Sequence, residues 1–213
     1  MSKFDQFDFN HALPLINEDT EFFPLMSQQD EEEMNNEQTP EILSILPLRN
    51  TVLFPGVVIP ITVGRDKSIK LIKDAYKGDR IIGVVAQKDV SIEDPSFIEL
   101  NTVGTVAVIV KMLQMPDGNT TVIIQGKNRF QLIEEVQSEP YIKASVQKFE
   151  EIRPKADKEF KAMVASVKEL AMQIIHFSPN IPSEAAIAIK NIESVPFLIN
   201  FISSNMNAIV ADK

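Results

Sequence analysis

The 213-residue chain has no cysteine and only two histidines, far apart, which excludes a disulfide framework, a thiol nucleophile and a metal site built on thiolates or clustered imidazoles. Its formal net charge of −9 is unevenly placed: residues 1–41 carry one base and 11 acids, whereas residues 42–213 carry 20 bases and 19 acids. The near-neutral remainder lacks the surplus of Lys and Arg that gives a nonspecific hold on nucleic acid, and no apolar run approaches the about 20 residues of a membrane helix.

Residues 1–41 read as a disordered acidic tail, because the run Asp30-Glu31-Glu32-Glu33 repels itself in a compact form and no apolar period persists. Two aromatic knots interrupt it, Phe4–Phe9 and Phe22–Met26, the composition either of a short docking motif or of a solvated tail that rests a side chain or two on the domain.

The pattern changes to strand at Ile42. Within Ile45–Arg65, two apolar runs, Ile45–Leu48 and Val57–Val63, flank an Arg49-Asn50 step and a Phe54-Pro55-Gly56 turn. Pro47, Pro55 and Pro60 exclude a helix here, since each removes a backbone donor and clashes with a preceding helical turn. Asp66–Tyr76 then carries Ile69, Leu71, Ile72, Ala75 and Tyr76 at helical spacing, with Lys67, Lys70, Lys73 and Lys77 on the opposite face as a solvated surface. Five further Val- and Ile-rich strands are expected at Arg80–Gln87, Gly104–Met115, Thr120–Gly126, Arg129–Val136 and Tyr141–Phe149, with turns at Met115–Asn119, where Asp117-Gly118 is a hairpin signal, and at Gly126-Lys127-Asn128. Seven short strands, one early helix and no later crossover helices predict an α+β protein with a closed or nearly closed antiparallel barrel over residues 42–153.

From residue 154 the period becomes helical. Phe160, Met163, Val164, Val167, Leu170, Ala171, Ile174 and Ile175 form one stripe, Asp157 is placed to cap its start, and Ser178-Pro179 to stop it. A shorter helix follows Pro182-Ser183 and runs to about Asn191. A third begins near Ser194, where Pro196 fits the first turn. Residues 154–213 are expected to be a small helical subdomain packed on itself, with Ile209 and Val210 resembling the start of something further.

Chemistry is hard to place on this chain. Its one Gly-Lys pair, Gly126-Lys127, lacks the upstream glycine and following hydroxyl of a phosphate loop. No serine lies in a nucleophile elbow, and His176 at a helix end reads as a favourable C-terminal cation rather than a base. Glu134-Glu135 and Glu150-Glu151 are neighbours in strands, so their side chains diverge.

Pro47-Leu48-Arg49-Asn50, Leu53-Phe54-Pro55-Gly56 and Pro60-Ile61, with Gly126-Lys127-Asn128-Arg129-Phe130 downstream, resemble the amino-terminal domain of the Lon family of ATP-dependent serine proteases, from about Ile42 to the end. The resemblance implies a PUA-like barrel followed by a helical subdomain, a domain that selects and holds unfolded or degron-bearing proteins and contributes to a hexamer in a cytoplasmic parent. It places the ATPase and Ser-Lys peptidase, and with them ATP and magnesium, outside these residues, and leaves this chain without a catalytic residue, cofactor or metal of its own. The positions it singles out are Pro47, Arg49, Asn50, Phe54, Pro55, Gly56 and Pro60, read mainly as turn and strand geometry, with direct contact to a client as the second reading. Arg49 and Asn50 are placed to bind backbone carbonyls or to cap the barrel. The client surface is expected at the barrel edge and at the barrel-to-helix junction near Arg153-Pro154. Two other readings stay open at this stage, a stand-alone protein of the same domain type and a PUA-like RNA-binding module.

Overall fold

The computed structural model describes residues 31, 34, 37–114, 120–150, 152, 154–177 and 184–213. In chain order these form β1 (Ile42–Leu48), β2 (Val58–Val63), α1 (Asp66–Lys77), β3 (Ile81–Ala86), a short 3-10 turn (Phe97–Glu99), β4 (Val103–Gln114), β5 (Thr120–Gln137), β6 (Lys143–Lys148), α2 (Lys158–Phe177), α3 (Glu184–Asn191) and α4 (Val195–Asn205). The strands run in the order β2-β5-β4-β3-β1-β6, and β6 pairs back onto β5. Five strands therefore close into a ring, with β2 attached to the outside of β5.

The expected α+β architecture of a barrel, an early helix and a helical part is present, and two of its details are corrected. First, the barrel is not wholly antiparallel, because β1 and β3 pair in parallel, Ile45 opposite Gly83 through Leu48 opposite Ala86. The crossover that such a pair requires lies early in the chain, through β2 and α1. Leu71 and Ile72 of α1 are buried there with Leu46, Leu48, Ile82, Val84, Ile109 and Ile124.

Second, no turn divides Thr120–Gly126 from Arg129–Val136. β5 is one strand of 18 residues, and Gly126-Lys127-Asn128 lies inside it. Its first part pairs with β2 (Val58 opposite Gln125) and its last part with β6 (Leu132 opposite Val146), while β4 pairs along most of the length between. Register shifts in the β4 and β6 pairings let so long a strand coil around the barrel. Phe130 is fully buried on the inside, among Leu43, Ile45, Val85, Val106 and Ala144. The predicted Asp117-Gly118 turn and the Ser178-Pro179 helix stop lie outside the described residues, as do all of residues 1–41 except Glu31, Met34 and 37–41.

Two prolines of the opening stretch, Pro47 and Pro60, sit where a strand has a neighbour on one side only. Pro47 pairs with Val85 of β3 beyond the point where β6 stops pairing with β1, and Pro60 lies in β2, which pairs with β5 alone. A missing N–H is tolerated at such positions, and on β2 it also blunts an open edge.

The glycine inside β5 is explained by close approach. A Cβ at Gly126 would lie 2.3 Å from the carbonyl oxygen of Phe54 and 3.2 Å from a methyl of Thr105. Since the nearer obstacle is backbone, Gly126→Ala has to push the Phe54 segment off the barrel. We expect it to lower unfolding free energy by about 2–3 kcal/mol, the scale of an overpacked interior, read as a lower urea midpoint with the slope retained. An unchanged midpoint would contradict this packing.

Candidate functional site

The family-motif positions separate into two clusters at opposite ends of the segment between β1 and β2. At the β1 end, the Arg49 guanidinium donates to the Ile92 carbonyl at 3.2 Å, and Asn50 takes a positive φ of 54°. The buried Gln87 donates to the same Ile92 carbonyl at 3.0 Å and to the Asp89 carbonyl at 2.6 Å, while its side-chain oxygen accepts from Arg65 at 2.7 Å. Arg65 also reaches the Pro47 carbonyl at 3.4 Å. Burial, with the positive charge of Arg49 adding to it, holds the Arg65 guanidinium below its ordinary pKa. Arg49 thus binds a backbone carbonyl and helps to order the loop that follows β3.

At the β2 end, Leu53, Phe54, Pro55, Gly56 and Val57 are all buried. Gly56 has φ 79°, a left-handed conformation that only glycine adopts freely. Its N–H donates to the Gly126 carbonyl at 2.9 Å, and the Gly126 N–H donates to the Val57 carbonyl at 2.9 Å. The Thr105 hydroxyl donates to the Leu53 carbonyl at 2.7 Å. Phe54 and Val57 then pack with Ala171 of α2, Ile189 and Ile192 at the end of α3, and Phe197 and Leu198 of α4.

Polar contacts fix the same seam. Arg129 donates to the Asn200 side-chain oxygen at 2.7 Å and lies 6.0 Å from the centre of the Phe54 ring, and the Asn200 amide donates to the Pro55 carbonyl at 3.2 Å. The helical part, expected to pack on itself, does so and also packs on the barrel: α2, α3 and α4 share their core with the Phe54–Val57 loop. The contact also lies elsewhere than the connection near Arg153-Pro154, where Ile152 and Pro154 are exposed and Arg153 is outside the described residues.

A family model described as the ATP-dependent protease La (LON) substrate-binding domain matches residues 42–213. The chain belongs to the Lon substrate-binding domain family. It is 60% identical over 205 residues to a Lon protease of Flavobacterium johnsoniae and 54% identical over 200 residues to one of Cytophaga hutchinsonii, spans covering 96% and 93% of this chain and 25% of each relative. The chain thus spans about a quarter of the length of these relatives. The solved N-terminal domain of a Mycobacterium avium complex Lon protease has the same fold, with a TM-score of 0.63 at 20% identity over 80% of this chain and 86% of that one.

Within this Lon domain, the structure brings together Phe54, Pro55 and Gly56 and leaves Pro47, Arg49, Asn50 and Pro60 apart from them. Sequence reasoning missed Gly126, Arg129, Asn200 and Thr105 as partners of that loop. The available signal was an unbroken two-residue alternation through Val122, Ile124, Gly126, Asn128, Phe130 and Leu132, all buried. Among the described residues, no group of three or more His, Asp or Glu is placed to hold a metal ion, and no helix is long and apolar enough to cross a membrane.

Because Asn200 joins the Pro55 carbonyl to Arg129, Asn200→Ala leaves both partners short of a bond inside the seam. We expect a loss of about 1–3 kcal/mol, measured by urea unfolding, and a similar loss for Arg129→Met. A variant as stable as the parent would show that the apolar contacts alone hold the seam.

Proposed function

We propose that this chain is the noncatalytic segment with which a Lon protease captures unfolded or damaged proteins and holds them for ATPase and peptidase modules carried by the rest of that protein. ATP and magnesium belong to those modules in this reading, the cytoplasm is the compartment, and a hexameric parent places six copies of the domain around one entrance. The observation that carries the reading is an apolar stripe on α2 turned away from the seam. Ala171 is buried against Phe54 and its neighbours, with Val164 and Ile175 packed beside it. Met163, Leu170, Ile174 and Phe177, spaced seven, four and three residues apart on one helix face, are exposed, Ile174 by 62% and Phe177 by 78%. Exposed apolar surface of this kind marks a binding site. An unfolded client offers apolar side chains in no fixed order, so a flat stripe suits it better than a shaped pocket. Each contact is weak, and repetition around a ring raises the effective concentration enough to retain the client.

A photo-crosslinker at Leu170 or Ile174 should capture a permanently unfolded model protein. Leu170→Ser with Ile174→Ser should weaken its binding by about tenfold or more, since each exposed side chain contributes on the order of 1 kcal/mol when covered, and should leave the melting temperature in place. Undiminished binding, or crosslinks from the client confined to residues 1–41, would refute the stripe as the client surface.

A further inference from the structure

The amino-terminal segment outside the matched family region contributes buried residues to the seam, a feature that the capture of unfolded clients does not use. Glu31 and Met34 both lie in helical backbone and are 9% and 6% exposed. The Ser194 hydroxyl donates to the Glu31 carboxylate while accepting from the Phe197 N–H at 3.1 Å as the N-cap of α4. The buried Asn128 of β5 donates from its amide to the Met34 carbonyl at 2.8 Å and to the Glu37 carbonyl at 3.4 Å. Lys127 pairs with the Glu37 carboxylate at 3.1 Å.

We infer that Lys127, Asn128 and Ser194 form a recognition site for an acidic-apolar segment with the spacing Glu-x-x-Met-x-x-Glu, and that Glu31, Met34 and Glu37 of this chain occupy it in cis. Three observations agree on this occupant. The spacing of three puts Glu31 and Met34 on one side of helical backbone, facing the same surface. The carboxylate of Glu31 meets the N-terminus of an 11-residue helix, where backbone dipoles favour an anion, and Glu37 meets a lysine. The site also draws on both halves of the domain, Lys127 and Asn128 from the barrel and Ser194 from the helical part, so its occupant straps the seam from outside. Asn128 has a specific task here: it is a buried polar residue of β5, and the strap gives its amide partners. A segment of the same chemistry added in trans competes for the site only when the strap is released.

Methionine oxidation by dilute peroxide on the intact chain, followed by mass spectrometry, tests the docking. Met34 should oxidise at least about tenfold more slowly than Met163 and Met206, which are exposed. Glu31→Lys with Glu37→Lys should bring Met34 to their rate with the circular dichroism unchanged. Equal rates in the parent chain, or continued protection of Met34 in the variant, would overturn the proposal. In a second arm, a fluorescent peptide of residues 28–40 should bind the Glu31→Lys, Met34→Asp chain and not the parent. Binding to neither or to both equally would overturn the recognition site.

Discussion

The Phe54 carbonyl passes so close to Gly126 that no other residue fits there, and the rest of the domain depends on that approach. The two backbone bonds that Gly126 exchanges with Gly56 and Val57 turn the loop before β2 down onto the middle of β5. From that point β2 continues along the first half of β5, while the second half is left for β6. One strand therefore serves three neighbours, which is what closes the ring. Phe54, held at this crossing, becomes the side chain on which α2, α3 and α4 assemble.

The residues with the most distinctive spacing are thus consumed by structure. Phe54, Pro55 and Gly56 are buried and partnered, and Arg49 is spent on a loop carbonyl. The proposed client surface lies instead on a part of α2 that these contacts position without joining. The exposed stripe of α2 runs beside the line through Ala171 and its neighbours that packs into the seam. Holding α2 through one line of side chains fixes the orientation of the exposed line, as the client surface proposed for it requires. The strap from Glu31, Met34 and Glu37 lies against the same seam from a third direction, adding charge-assisted contacts where the apolar core of the seam ends.

Local chemistry made much of this legible from sequence. Prolines and glycines marked the opening strands, a lysine face and an apolar face marked α1, and Asp157 and Ser194 announced the starts of α2 and α4, where their side chains do accept the Phe160 and Phe197 N–H groups. What was not legible depends on contacts far apart in the chain. Gly126 and Asn128 suggest a turn by propensity, yet each is in a strand because of a neighbour, a loop carbonyl for Gly126 and the strap for Asn128. The parallel pairing of β1 with β3 was hidden because its crossover precedes the long series of strands. For α2, periodicity supplied one stripe; packing divided it into a buried line through Ala171 and an exposed line through Leu170 and Ile174. Composition made Glu31 part of a repelling run, and only the neighbouring N-cap gives its charge a place.

The loop seated on Gly126 joins barrel and helices into one cooperative unit. Native-state hydrogen exchange at increasing denaturant measures this directly on the Gly56 and Gly126 amides of the crossing, the Leu198 amide of α4 and the Met206 amide that caps its end, all of which are hydrogen-bonded. The two sets should converge on a single opening free energy and a single denaturant slope. Helical amides that open at low denaturant while Gly126 stays protected to the global transition would contradict it.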